Sequence, residues 1–305
     1  MARVSIKSVT GFLIVSLLAT VPNTNLKAEF ESFEKNEAST PVMHFQKGHA
    51  HYYGGNNRSS RVLMNYYGGS VLNTNSTMAI FWGNQWNSST FAGDKIAGLD
   101  AFFAGYANSS YARTVTEYSS SAGKITTNST YLGHVIDSTA VPAGALSVTA
   151  AIAEVCKITN NNPAANALYL IYTASGAGNV NYCAWHGWGS CGGRPVQVAY
   201  MPNLDGIAGC DPQDNLTGNS QGLAAVANVT GHELSETITD PRGNAWFDSS
   251  GNENGDKCAW SFPAGNTFST FSNGARFKLQ MEWSNAAYTT STGQPNLSGQ
   301  RGCIY

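Results

Sequence analysis

The chain has 305 residues, 12% of them charged, and a formal net charge of −2 at pH 7. An average globular protein carries about 25% charged residues. So sparse and balanced a set excludes a basic footprint for nucleic acid and a cationic helix for anionic lipid. Asn, Ser, Thr and Gly supply the polarity instead, which suits an extracellular setting.

Arg3 and Lys7 precede a short apolar run over residues 11–19, and small residues follow with cut points after Ala19 or Ala28. Residues 1–28 therefore read as a secretory signal peptide. The run is shorter than the roughly 20 residues that span a bilayer, and no later segment is long and apolar enough. The mature chain is expected to be secreted, without a membrane span; an uncleaved anchor over residues 9–21 is the alternative. Residues 29–60 are polar and without sustained period, and read as a poorly ordered arm. Residues 61–305 read as a single domain.

Within that domain, residues 62–67 and 77–82 have the pattern of strands, and 91–107 that of a helix with Phe91, Ile96, Leu99, Phe103 and Tyr106 near one face. Strands are expected at 113–118 and 131–136, and a helix at 146–158. Residues 167–173 (ALYLIYT) form an almost wholly apolar run suited to a central strand buried on both faces. A Gly-, Asn- and Cys-rich loop is expected over 174–194, a strand at 196–200 and a long helix at 221–239. In that helix Leu223, Ala227, Leu234 and Ile238 lay an apolar stripe on the core, and Pro241 stops it after Asp240. The pattern predicts an α/β (α+β) fold: one mixed-sheet, zincin-like domain with a disulfide-stabilised C-terminal half.

The cysteines are Cys156, Cys183, Cys191, Cys210, Cys258 and Cys303. An even number in an exported chain favours disulfides. Six allow 15 pairings, of which Cys183 with Cys191 is the one local pair the spacing suggests.

The long helix contains Gly231-His232-Glu233-Leu234-Ser235-Glu236. A zincin places two His at i and i+4 on one helix face, with a Glu after the first as general base. Here His232 and Glu236 hold the ligand positions and Glu233 the base position, with Glu236 in place of the second His. Glu253, 21 residues beyond His232, is the candidate third ligand by its spacing. Asp256 is the candidate partner for the other ring nitrogen of His232. The expected cofactor is a divalent metal: zinc first, with manganese or iron made competitive by the extra carboxylate. The plain alternative is an i,i+4 polar pair on a half-exposed helix.

The stretch from Asp248 to Asp256 alternates oxygen-bearing residues with glycine. It admits a calcium loop or simple turn chemistry. His186, between Trp185 and Trp188, is a cleft candidate or a ring packed on the tryptophans. Trp82 and Trp86 flank Gly83-Asn84-Gln85 and admit sugar stacking or core packing. Polar residues 284–301 admit a lid or a tail. No nucleophile-elbow, P-loop or dinucleotide motif is present.

Several segments resemble the phosphate-induced protein / Exordium family of secreted proteins. They are residues 65–72 (NYYGGSVL), 79–86 (AIFWGNQW), the Cys183 and Cys191-Gly192 region, Thr239-Asp240-Pro241 with Gly243 and Ala245-Trp246-Phe247, and residues 271–276 (FSNGAR). The resemblance runs in order over about four-fifths of the chain, as a bacterial-type member carrying a His-Glu-x-x-Glu motif. It implies an extracellular, cell-surface or growth-related role and does not itself imply an enzyme; the expected partner is an extracellular substrate or ligand, a protein or a cell-wall glycan, which neither the resemblance nor the motif identifies. Two functions stand as expectations: a metal-dependent hydrolase, most plausibly a peptidase, and a non-catalytic extracellular binding protein with a structural ion or none.

Overall fold

The computed structural model describes residues 44–47, 62–178, 180–265 and 267–305; the expected signal peptide, and all of the arm except residues 44–47, lie outside the described residues. The main elements are β1 (His44–Lys47), β2 (Asn75–Trp82), α1 (Lys95–Tyr106), β3 (Ser129–Asp137), α2 (Val148–Ile158), β4 (Ala167–Thr173), β5 (Tyr182–Cys191), β6 (Arg194–Met201), α3 (Gln221–Thr239) and α4 (Asn254–Cys258). They form the expected mixed α/β fold. A six-stranded sheet runs in the order β1-β5-β6-β4-β2-β3. Strands β3, β2, β4 and β6 are parallel neighbours, while β5 returns antiparallel to β6, and β1 antiparallel to β5.

The centre of the sheet is buried on both faces, and β4, buried at every residue, shows why its run is apolar throughout. Leu168, Leu170 and Tyr172 enter the core shared with α1 and α3, while Ala167, Tyr169 and Ile171 pack with Val148, Ala151 and Val155 of α2. Alternate residues of a strand point to opposite faces, so a strand covered on both needs no polar residue.

Helix α3 differs from its expected amphipathic form. Every residue from Leu223 to Thr239 is buried, because the helix packs on β5 and β6 and also on α1, α4 and the Arg276–Phe277 strand. A half-exposed helix with a surface polar pair is excluded by this burial. The helix starts at Ser220, whose hydroxyl accepts the Leu223 N–H at 3.1 Å. It ends at Asp240, whose Oδ1 accepts the N–H groups of Asn244 (2.7 Å) and Ala245 (2.8 Å).

Other expectations need correction. Residues 113–118 are not a strand. Ser109 caps the short helix Ser110–Arg113, and the aromatic pattern there serves other ends: Tyr111 and Tyr118 send hydroxyls to the Glu282 carboxylate (2.6 Å) and the Trp283 carbonyl (2.6 Å). The helix expected at 91–107 is interrupted at Gly93, whose φ of 54° is left-handed. Only Asn65–Tyr66 of residues 62–67 is strand, paired with Trp246–Phe247. The loop expected over 174–194 contains β5, joined to β6 through Gly192 (φ 56°) and Gly193 (φ 78°). A two-residue hairpin turn needs two positive φ values, and Gly-Gly supplies them.

All six cysteines are paired, as Cys156–Cys191, Cys183–Cys210 and Cys258–Cys303. Cys183 and Cys191 are not partners: they end one extended strand, and each tethers it elsewhere. Trp82 and Trp86 are both buried, at 6% and 4% exposure, so core packing rather than sugar stacking accounts for them. Residues 284–301 are neither lid nor loose tail. They include the helix Asn285–Thr289 and the strand Gln294–Pro295, which joins Arg301–Ile304 and Glu282–Trp283 in a three-stranded sheet. Among the described residues no helix is long and apolar enough to cross a membrane.

Candidate metal centre

The helix repeat puts His232, Glu233 and Glu236 on adjoining stripes of α3, facing β5 and α4. His232 Nε2 lies 3.0 Å from Glu236 Oε1 and 3.9 Å from Asp256 Oδ1. From β5, His186 Nε2 lies 3.0 Å from Glu253 Oε2 and 3.6 Å from Glu236 Oε2. His232, Glu233, Glu236 and Glu253 are 0% exposed and His186 is 1% exposed. Among the described residues, two sets have ligand atoms within 4.8 Å of one another: His186 with Glu233 and Glu236, and His232 with Glu236 and Asp256. Glu236 belongs to both and is the hub.

These contacts are close without being satisfied. His232 Nε2, Glu236 Oε2 and both oxygens of Glu233 have no hydrogen-bond partner, although Glu236 Oε1 is only 3.0 Å from the imidazole. Separations of this size also suit atoms that share one ion. In a tetrahedral site with bonds of about 2.0–2.1 Å, ligand atoms stand roughly 3.3 Å apart. The donor set of imidazole nitrogen and carboxylate oxygen suits zinc, manganese or iron. The His/Glu/Glu/Asp cluster could therefore hold a metal ion.

Electrostatics point the same way. Burial pushes Glu233 well above the usual carboxylate range; His232 opposes this, while Glu236, Asp256 and Glu253 add to it. Glu236 is also raised well above that range, first by burial and then by Asp256, Glu253 and Glu282. Burial pushes Glu282 up to about 7. Assembling carboxylates in a dry interior is costly unless protons or a cation offset the repulsion.

The supporting residues refine the expected roles. Asp256 does not bond the second nitrogen of His232. It faces Nε2, on the Glu236 side, and its backbone N–H donates to Glu236 Oε1 at 2.9 Å. Asp256 sits at the third position of α4, and Glu253 caps that helix; the two form a reciprocal capping box. This fixes where both carboxylates stand. The second nitrogen, Nδ1, meets the Gln280 amide at 2.7 Å. With the amide nitrogen donating there, the ring proton belongs on Nε2. A metal ion needs the Nε2 lone pair, hence a proton on Nδ1 and the amide oxygen facing it. That rotation gives up the 3.1 Å bond from the amide to the Gly255 carbonyl. Gly255 is required by close approach: a Cβ there would stand 2.9 Å from both Glu236 Oε1 and His232 Nδ1.

His186 is a member of the cluster, not a ring packed on the tryptophans. Alternation along β5 sends Trp185 to the α2 side with Val155 and Tyr200, and His186 to Glu236 and Glu253. Sequence reasoning missed Gln280, Glu282 and Asn254. Asn254 Nδ2 donates to Glu282 Oε2 (3.1 Å) and to Ser235 Oγ (3.2 Å), and Thr239 donates to its Oδ1 (2.8 Å). The available signal was Gln280 and Glu282 two residues apart in the otherwise apolar Leu279–Trp283 run. In the loop from Asp248 to Asp256, the Asp248 carboxylate is engaged by groups of the chain itself. Asp248 meets the Lys257 ammonium at 3.0 Å and accepts the N–H groups of Ser250 and Asn252.

Comparison of the chain with protein-family models, curated proteins and solved structures finds no match. The candidate centre is therefore characterised by its geometry alone.

Proposed function

We propose that the chain is an exported metal-dependent hydrolase, most plausibly a peptidase, with its centre around Glu236. His232 and Glu236 would hold a divalent ion, zinc before manganese or iron, with Asp256 as the oxygen ligand within 4.8 Å of both, and with His186 and Glu253, the third ligand expected from its spacing, adjoining through Glu236. The observation that carries this reading is the convergence of unsatisfied imidazole and carboxylate atoms in a solvent-excluded space. When bound, the ion would supply Lewis acidity for water attack on an amide. Glu233, within reach of His186 and Glu236 and free of other bonds, accepts the proton of the attacking water and returns it to the leaving nitrogen. The three disulfides support an oxidising, extracellular location.

The test is hydrolysis of a peptide library by the wild-type protein and Glu233→Gln. The reading requires turnover that falls about 10²–10⁴-fold in the variant while its metal content is kept. Equal turnover in both removes Glu233 as base.

One observation favours a second reading. The centre is closed, with its His and Glu members at most 1% exposed, and closed sites are characteristic of structural ions. The protein would then be a non-catalytic, Exordium-like extracellular or cell-surface protein that binds a protein or cell-wall glycan. In that case metal loss lowers stability and no turnover exists to lose.

A further inference from the structure

Strand β5 carries His186 into the centre, and its outer side is taken by β1. The pairing is antiparallel, with His44 opposite His186, Phe45 opposite Trp185, Gln46 opposite Ala184 and Lys47 opposite Tyr182; the register shifts between Gln46 and Lys47. The short β1 is the edge of the sheet and has β5 as its sheet neighbour.

Strand β5 does not depend on β1 to stay extended. It is paired with β6 from Trp185 to Cys191, and disulfides hold it at both ends, through Cys183 to Cys210 and through Cys191 to Cys156. Without β1 it would be a rigid strand edge with a row of unpaired N–H and C=O groups. Such an edge is a template for an extended polypeptide, because main-chain pairing supplies the affinity whatever the side chains.

We propose that the outer edge of β5 is a binding edge for an extended polypeptide running antiparallel to it beside His186, and that residues 44–47 of this chain are its built-in occupant. A bound peptide would run about 4.8 Å from β5, level with the centre. The inference deepens the hydrolase reading and rests on it for calling that peptide a substrate; occupancy of the edge by β1 stands independently. In this arrangement the N-terminal segment keeps the edge filled until a substrate displaces it or cleavage C-terminal to Lys47 releases it.

The test uses the full chain with Phe45→Pro and Gln46→Pro together. One of two successive strand residues directs its N–H at the neighbour, so the pair of prolines removes that bond in either phase. Hydrogen exchange over residues 182–191 is read by mass spectrometry. Binding of a labelled synthetic peptide of residues 41–50 (PVMHFQKGHA) is read by fluorescence anisotropy. The expected result is exchange at least tenfold faster in β5 with β4 unchanged, restored to the wild-type rate by the peptide. Unchanged exchange in β5, or no binding of the peptide to the variant, overturns the proposal. Should the double variant fail to fold, a protease site inserted between residues 50 and 60 is cut after folding, and the same two readings are taken. Turnover separates the two claims. Faster exchange and peptide binding with no hydrolysis in any form keep the edge and remove the hydrolase; hydrolysis with unchanged exchange does the reverse.

Discussion

Two clusters of buried carboxylates flank the sheet, and they are neutralised differently. On the α2 side, Glu154 meets Lys157 at 2.6 Å, Lys157 also pairs with Asp137, and Glu154 and Asp137 face each other carboxyl to carboxyl. That cluster contains its own ammonium. On the α3 side, Glu233 and Glu236 face further carboxylates, and the side-chain nitrogens beside Glu236 are the imidazoles of His186 and His232. Lysine can only donate, whereas a neutral imidazole offers a lone pair. The first cluster carries its own counter-charge in Lys157. The second has the composition of a metal-ligand set.

The comparison breaks most visibly at the ligands. His232→Ala is expected to abolish metal binding, and chelation of the wild-type protein should lower its Tm while leaving that of the variant unchanged. Scanning calorimetry with and without chelator checks this. An equal Tm shift in both proteins would move the ion elsewhere.

Next in size is the tether of β5. Replacing Cys183 and Cys210 by Ser opens a crosslink with a sequence separation of 27. Chain-entropy arithmetic puts the loss near 3.5 kcal/mol, so about 3.5 kcal/mol is expected in denaturant unfolding. Because the strand carries His186, metal affinity should fall too, whereas opening Cys258–Cys303 should weaken binding through α4 alone.

Smaller effects sharpen the account. Gln280→Ala removes the group against His232 Nδ1, and metal affinity is expected to drop about 10–100-fold, the usual cost of losing such a partner. Titration with a competing chelator measures it, and Gln280→Glu, which keeps an acceptor, should retain most of the affinity.

The smallest effect belongs to the α2 side. Burial, then the Asp137 contact, raises Glu154 to about 7, with Lys157 opposing, so its folded form holds the proton more tightly than the unfolded chain. The stability it contributes is fully present below the unfolded carboxyl pKa, about 4.3, and is lost as pH rises through 7. Asp137, in the same cluster, is held below the usual carboxylate range. Glu154→Gln should flatten the decline in stability between pH 5 and 8. An unchanged slope would assign that decline to other groups.

What the sequence made legible follows from which forces are local. Residues 167–173 and 221–239 read correctly because an unbroken apolar run and a periodic apolar stripe ended by Pro241 are local signals. The i,i+4 pair His232 and Glu236 was likewise legible from helix geometry. Strand β5 was not, because its Gly and Cys content suggests a loop and its extended state is imposed by β6 and two disulfides. The roles of Gln280, Glu282 and Asn254 were hidden for a related reason. They are set by contacts reaching 15 to 171 residues along the chain, which no local pattern encodes. Asp256 was placed on the wrong ring nitrogen because spacing gives distance along α4 and not the turn of its capping box.

The central claim is that the Glu236 hub holds a metal ion. Its most direct test is elemental analysis of the purified protein beside His232→Ala and Glu233→Gln, after loosely bound ions are removed. The account predicts about one zinc, manganese or iron per chain in the wild type and Glu233→Gln, and none in His232→Ala. Equal metal in all three, or none in the wild type, would contradict it.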